Sequence, residues 1–384
     1  MAGSTDTRAD SDRADAYFIG LISGTSMDAV DAVLVRIDNA GQPTLLHSHS
    51  EAYPQAIRDT ILPALQQPEG IEYGRIIQIE LALADLFAQA VAALLRQSAV
   101  RPDQITAIGN HGQTLCHRPD AATPYTVQLC DNARLAVLTG IDVIGDFRRA
   151  DVADGGQGAP LAPLIHHALF SQAKQRIGVM NIGGIANLTV LPSTRDTEPA
   201  IIGFDTGPGN GLMDSWYQRH QGGRFDADGQ WANQGQVRTE LLQQLLHDDY
   251  FSRPAPKSTG REYFNLHWLA TQSALSETLA AVDVQATLLE LTAQTTIKAA
   301  QQYRCEALFV CGGGAHNPCL VQRMRQLAPE LEVQSTAVLG LAPDWVEAVL
   351  FAWLAWCYRH QQAVPLPSIT GGQHSRIIGA HWYA

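Results

Sequence analysis

Two passages of this chain begin with the same pattern of apolar and polar positions. An apolar run over residues 17–22 breaks into a small, hydroxyl-rich turn, Ser23-Gly24-Thr25-Ser26, and resumes as an alternating strand through Val35. Alternation with period two predicts half-buried strands, so this passage reads as a β-hairpin, with residues 44–53 as a third strand. Helices are predicted over 55–66 and 72–97; in the second, Ile76, Ile79, Leu83, Leu86, Val91 and Leu94 keep helical spacing. Strands at 105–108, 125–129 and 142–145 and a helix at 132–139 complete the first half. The second half opens with strand 177–182, the turn Gly183-Gly184 and strand 185–190. A third strand at 201–204 is followed by helices near 212–218, 236–246, 266–279 and 288–302. Strand 307–310, short elements at 321–327 and 332–334, and a last helix over 346–360 finish the chain. Two halves that open alike suggest an internal duplication, although strand-glycine-strand also recurs by coincidence.

Length sharpens this picture: 384 residues exceed one ordinary core and suggest two lobes. The formal charge of −12 argues against a nucleic-acid partner, which needs clustered Lys and Arg. It leaves room for a nucleotide, which needs only a local positive field, much of it supplied by Mg²⁺. The six cysteines (Cys116, Cys130, Cys305, Cys311, Cys319, Cys357) form no CxxC pair and read as reduced thiols. Residues 1–15 are polar, lack the apolar segment of a signal peptide and read as a disordered tail. The apolar run 348–357 is shorter than the roughly 20 residues that cross a bilayer. A soluble, cytoplasmic protein without a membrane partner is expected.

The candidate chemistry sits at the turns. Peptide N–H groups and the Thr25 and Ser26 hydroxyls at the first hairpin tip can converge on an anion. No lysine follows, so this is not the strand-GxxxxGK[ST]-helix loop; an ordinary hairpin with a polar tip is the alternative. In Gly203-Phe204-Asp205-Thr206-Gly207-Pro208-Gly209-Asn210 an apolar strand ends at an acid beside a bend into a helix. Asp205 there is a candidate general base, or else a cap for the following helix. Cys311-Gly312-Gly313-Gly314 offers bare backbone for a flat ligand such as adenosine, or is merely a flexible loop. Asp146 to Asp151, containing Arg148 and Arg149, could fork a carboxylate, but reads more readily as a solvated salt-bridge cluster. His111 in Asn110-His111-Gly112-Gln113 reads more readily as structural than catalytic. Lys257-Ser258-Thr259-Gly260-Arg261-Glu262 looks like the tail of a phosphate loop without its upstream glycines. Glu347 opens the last helix, where a negative charge is favourable in any case.

Taken together, in order, these blocks resemble the anhydro-N-acetylmuramic acid kinase family of the sugar-kinase/Hsp70/actin superfamily. The matching stretches are Ser23 to Asp28, Gly109 to Thr114, Asp146 to Arg148, Gly155 to Leu161, Asn181 to Gly184, Phe204 to Asn210, Pro256 to Glu262 and Cys311 to Ala315. The resemblance implies an α/β, two-lobed sugar-kinase/Hsp70/actin-like fold, with duplicated RNase-H-like domains around a nucleotide cleft. The lobes are expected at 17–145 plus 366–384 and at 146–365, after a tail over 1–16. It implies that ATP drives hydrolytic opening of the 1,6-anhydro bond while O6 takes the γ-phosphoryl group, giving N-acetylmuramic acid 6-phosphate in peptidoglycan recycling. A homodimer is implied as well. The resemblance places ATP on Gly24, Thr25, Ser26, Met27, Asp28, Ala29, Val30 and Asp31. The glycine turns add Gly183, Gly184, Gly207, Gly209, Asn210, Gly312, Gly313 and Gly314. Asp205 corresponds to the catalytic aspartate that activates water, and Arg149 and Glu347 to sugar-binding positions. Two positions depart from the pattern. Leu21 stands where the superfamily's first phosphate motif usually has aspartate, which leaves the metal ligand open with Asp28 as the candidate. Ala29 stands where glycine is expected, and alanine is harmless there only if φ is negative. The rival readings are a kinase of the same fold on another sugar or small acid, and a non-catalytic ATP-driven switch.

Overall fold

The computed structural model describes residues 16–384 except 25, 26, 28, 67–69, 171–173, 197–200, 256, 262 and 274–277, and only the backbone of 65 and 66. In chain order, β1 (Ala16–Ser23), β2 (Ala29–Ile37) and β3 (Pro43–Ala52) precede helices α1 (Gln55–Gln66) and α2 (Tyr73–Ser98). Then follow β4 (Ile105–Asn110), β5 (Gln113–Arg118), β6 (Tyr125–Leu129), α3 (Asn132–Thr139), β7 (Val143–Gly145), α4 (Arg149–Ala153) and α5 (Ala162–Phe170). Strands β8 (Ile177–Ile182), β9 (Ile185–Leu191) and β10 (Ile202–Pro208) lead to α6 (Asn210–Gln221), α7 (Thr239–Leu246), α8 (Asp249–Ser252), α9 (Leu266–Gln272) and α10 (Ala281–Gln302). The chain closes with β11 (Ala307–Cys311), α11 (Pro318–Leu327), β12 (Glu332–Ser335), α12 (Val346–Arg359) and β13 (Ala380–Trp382).

The fold is mixed α/β, in two compact units. The first takes the described residues up to Ala150 with Ala348–Val364 and Ile377–Ala384; the second takes Asp151–Glu347 and Pro365–Arg376. The first unit's sheet has the order β13-β7-β4-β1-β2-β3 and the second unit's β10-β9-β8-β11-β12. In each, an antiparallel meander of three strands is extended by two strands parallel to its first member: β4 and β7 beside β1, β11 and β12 beside β8. The duplication expected from the two similar openings is therefore carried by topology.

The unit boundaries depart from the lobes read from sequence, for visible reasons. Gly20 of β1 and Gly109 of β4 are register partners on neighbouring parallel strands. A Cβ on either would overlap the backbone of α12, at Ala348 and Ala352 for Gly20 and at Phe351 for Gly109. The pair forms a flat trough in which α12 lies backbone to backbone, and this ties 348–364 to the first sheet instead of to 146–365. Residues 365–376 go the other way. Thr370 O accepts from Gln157 N at 2.8 Å, the Thr370 hydroxyl donates to Asp151 at 2.7 Å, and His374 N donates to Asp154 at 2.8 Å. Strand β13 returns to pair antiparallel with β7.

The first core gathers Ile19, Leu34, Ile79, Leu83, Phe87, Val91 and Ile108. Helix α2 is long and apolar enough to cross a membrane by composition, yet Leu83, Phe87, Val91 and Leu94 belong to this core. The second core is built on Met180, Leu188, Phe204, Trp216, Leu288 and Val310. Five elements were not read from the sequence: β5, which pairs with β6 in a separate two-stranded ribbon, the short helices α4, α5 and α8, and the strand β13. β5 reads Gln-Thr-Leu-Cys-His-Arg, with too little apolar alternation to register.

Candidate active site

In the first unit β1, β4 and β7 run parallel and end at Ser23, Asn110 and Gly145. Ligands of open α/β sheets bind outside such carboxyl ends. Of the hairpin-tip positions, Thr25, Ser26 and Asp28 lie outside the described residues. Gly24 O accepts from Met27 N at 3.1 Å, and Met27 takes a left-handed φ of 51° with its side chain fully buried. A left-handed non-glycine residue costs roughly 1–2 kcal/mol, which burial of an apolar side chain of this size offsets. Ala29 sits in extended strand opposite Ala52, so alanine is tolerated there without rearranging the turn. Val30 is core, and the Asp31 carboxylate accepts from the Ser50 hydroxyl at 2.8 Å.

Beneath the tip, the Ser23 hydroxyl donates to Gln113 Oε1 at 2.6 Å and accepts from Tyr53 at 2.8 Å. Burial pushes the Tyr53 phenol up to about 12, so it remains a donor near neutral pH. His111 N donates to Leu21 O at 3.0 Å. The Arg148 Nε–H donates to His111 Nε2 at 2.9 Å, which assigns the imidazole proton to Nδ1, donating to Gly112 O at 2.9 Å. Burial and then the Arg148 charge hold His111 well below the ordinary imidazole range. The stretch from Asp146 to Asp151 is thus not a solvated cluster. His111 holds Arg148, and Asp151 is wholly buried, accepting from Gly158 N at 2.6 Å and from Thr370. Arg149 alone is exposed, 3.7 Å from Asp146.

The second unit brings its predicted glycines together. Gly209 N and Gly211 N donate to Gly184 O, each at 3.1 Å, and Asn210 N donates to Gly183 O at 2.7 Å. The Asn210 side chain donates to Ile182 O at 3.0 Å and lies against Gly313. Gly312 has φ 72°, and a Cβ there would collide with the Asn181 side chain. The three turns that follow β8, β10 and β11 therefore form one cluster. Gly207 stands apart: it follows the bulge at Thr206 in β10, pairs with Ala186 and faces the Phe251 ring. The first amides of α6 are spent on the Gly183 and Gly184 carbonyls, so this helix start does not offer them to phosphate. Beside the cluster is a cavity of about 400 Å³, lined by Asn210, Met213, Asp214, Phe225, Gly313 and His316 among others. Burial pushes the Asp214 carboxyl up to about 6, opposed by Arg261.

Asp205 does not cap α6, whose N-cap is Gly209. Its backbone N donates to Lys257 O at 3.0 Å, its Oδ2 accepts from Thr259 N at 2.8 Å, and its own carbonyl accepts from the Tyr250 hydroxyl at 2.8 Å. Lys257 Nζ donates to Tyr250 O at 2.9 Å and lies 4.5 Å from the Tyr250 ring centre; burial pushes this ammonium down. Asn181, Asn187 and Asp205 are register partners across β8, β9 and β10, so their side chains share one face. Asn181 Nδ2 donates to Glu347 Oε1 at 3.3 Å, placing Glu347 at the far end of that polar row. Asn187, Tyr250, Lys257 and Thr259 were not among the site residues read from sequence. Only the 257–262 block gave a visible signal.

The chain matches the family model described as anhydro-N-acetylmuramic acid kinase over residues 16–384. A protein of that name from Idiomarina loihiensis is 45% identical over 367 residues, covering 94% of this chain and 98% of its own length. Its namesake from Shewanella woodyi is 46% identical over 367 residues, covering 95% and 98%. A solved activator of the 2-hydroxyisocaproyl-CoA dehydratase from Clostridium difficile, with bound ADPNP, is similar at 12% identity and a TM-score of 0.45, covering 90% of this chain and 96% of its own. On the family match and these relatives, the chain belongs to the anhydro-N-acetylmuramic acid kinase family.

Proposed function

We propose that the protein uses ATP and water to convert 1,6-anhydro-N-acetylmuramic acid into N-acetylmuramic acid 6-phosphate, as a cytoplasmic homodimer in peptidoglycan recycling. The observation that supports this reading best is Asp205. It is a largely buried carboxylate in the middle of β10, which runs on to Pro208 instead of ending at the acid, fixed by the Thr259 N–H and free of any helix-capping duty. A carboxylate so held can take a proton from water as the water oxygen attacks the anomeric carbon. The C1–O6 bond breaks, its electron pair stays on O6, and O6 takes the γ-phosphoryl group as ADP leaves. Opening the bridge is what makes O6 a nucleophile, so one base serves both events. The phosphoryl step itself then needs positioning and charge neutralisation.

ATP is placed on the cluster of Gly183, Gly184, Gly209, Asn210 and Gly312 to Gly314, with its nucleoside end in the adjoining cavity. That cavity's Asp214, Asp226 and Asp228 disfavour phosphate and suit the uncharged end. The resemblance assigns ATP binding to the hairpin from Gly24 to Asp31 and sugar binding to Arg149 and Glu347, and Glu347 closes the polar row that carries Asp205. Among the described residues no cluster of three His, Cys, Asp or Glu side chains could hold a metal ion. Mg²⁺ carried by phosphate oxygens and water would neutralise charge in the phosphoryl step. The test is turnover of Mg·ATP and the anhydro sugar in ¹⁸O water. Label at C1 of a 6-phosphorylated product is expected; an absence of sugar-dependent ADP release would overturn the proposal.

A further inference from the structure

The segment Lys257-Ser258-Thr259-Gly260-Arg261 is tied at one end to Asp205 through Lys257 O and Thr259 N. Two residues beyond Thr259, the Arg261 side chain lies across the Gly183-Gly184 turn and the start of α6. A Cβ on Gly184 would collide with its guanidinium, falling 2.7 Å from Nη2 and 2.9 Å from Cζ, and a Cβ on Gly211 would stand 3.2 Å from Nε. Gly183, by contrast, has nothing closer than Ile185 O at 3.7 Å. Two glycines thus leave a slot that the guanidinium fills. Arg261 is exposed, and among the described residues its guanidinium has neither a hydrogen bond nor an ion pair; its charge opposes the upward push that burial gives the Asp214 carboxyl.

A nucleotide's phosphates need positive charge, and this chain, with a formal charge of −12, carries little of it. The hairpin has no phosphate-loop lysine. The N–H groups of Gly209, Asn210 and Gly211 are already donated to carbonyls, and Lys257 is engaged with Tyr250. A guanidinium presents five donors in a planar fork that matches phosphate oxygens. We propose that Arg261 is a phosphate-binding residue, held in the Gly184–Gly211 slot so that its guanidinium forks the phosphate chain of the nucleotide. This assignment rests on the nucleotide reading above and goes beyond it in naming the cation. It also means that one short segment sets both the acceptor of the water's proton and the charge that receives the phosphates.

The test compares the unaltered protein with Arg261→Gln, Arg261→Lys and Gly184→Ala, each checked for an unchanged melting transition. Losing a charge-assisted fork raises Kd and KM for Mg·ATP by about 10- to 100-fold in Arg261→Gln. Arg261→Lys keeps the charge and recovers part of the loss, whereas Gly184→Ala, which displaces the guanidinium, weakens ATP in the same direction. Kd for adenosine and KM for the sugar stay within about twofold, because neither carries the phosphate chain. Unchanged ATP constants in Arg261→Gln would overturn the assignment. So would equal weakening of ATP and adenosine, or a change confined to the sugar KM. A wild-type protein that binds no Mg·ATP would instead overturn the nucleotide reading beneath it.

Discussion

Replacing Asp205 by asparagine separates chemistry from architecture. Asp205 is 9% exposed and accepts the Thr259 N–H at 2.8 Å. An asparagine Oδ1 can take the same bond, so the segment 257–261 keeps its anchor. A hydrogen bond to a charged acceptor is worth about 1.5–3 kcal/mol and a neutral one about 0.5–1.5 kcal/mol. The exchange therefore costs about 1 kcal/mol, less whatever is recovered by no longer burying a charge. For a unit of this size that lowers the melting temperature by about 2–4 °C. No helix-cap penalty is added, because Gly209 holds the N-cap of α6. Turnover behaves differently: loss of a positioned general base costs about 10²–10⁴ in rate, or about 3–5 kcal/mol at 1.36 kcal/mol per decade. The assay is sugar-dependent ADP release at saturating substrates, alongside thermal melting and the Kd for Mg·ATP. A turnover within about tenfold of wild type, or a rate loss that merely tracks loss of fold, would refute the role assigned to Asp205.

Two further outcomes concern stability. Gly109→Ala forces a methyl group into the backbone of α12 at Phe351 and is expected to cost about 1–3 kcal/mol or more. Adding Gly20→Ala should cost less than a second full increment, because both methyls push against one helix; urea midpoints of the two single variants and the double variant measure this, and an unchanged midpoint for Gly109→Ala refutes the trough. His166 is fully buried, with Nδ1 2.8 Å from the Thr189 hydroxyl and Nε2 without a partner among the described residues, and burial lowers its pKa from 6.5 to about 3. Between those values the unfolded chain binds the extra proton, so stability is fully present above pH 6.5 and falls as pH drops toward 3, by up to about 1.4 kcal/mol per pH unit. His111, also held low by burial, acts in the same sense. His166→Gln should flatten the stability–pH curve across this window, and a slope equal to wild type would refute the assignment.

Legibility in the sequence followed the length scale of the physics. The two meanders were readable because period-two alternation is local, and β1, β2, β8 and β9 fall where the pattern puts them. The segment β5 was not, since its side chains are mostly polar and its pairing with β6 is set by neighbours. Asp205 stood out as a candidate, but the choice between cap and positioned carboxylate rested on Thr259, 54 residues further on. Arg261 was visible only as part of a phosphate-loop-like tail, because the glycines that frame it are distant in sequence. Asp151 was misjudged for the same reason: its partner Thr370 lies 219 residues away, so a local reading sees only a charged surface stretch. Which sheet claims the last helix was equally invisible, since Gly20 and Gly109 become a trough only when β1 and β4 pair.

The interleaved chain of the two units has a consequence for synthesis. Domains fold as units while the chain emerges, N-terminal first. Here the first unit waits for Ala348–Val364 and Ile377–Ala384, and the second for Pro365–Arg376. The trough on β1 and β4 stays uncovered until α12 exists, and the buried Asp151 carboxylate lacks the Thr370 hydroxyl until 219 further residues have been made. Strand β7 gains β13 only once residues 380–382 have emerged. The first sheet, begun at β1, is thus closed only by β13, whereas the second has its five strands by Ser335 and its unit waits for Pro365–Arg376.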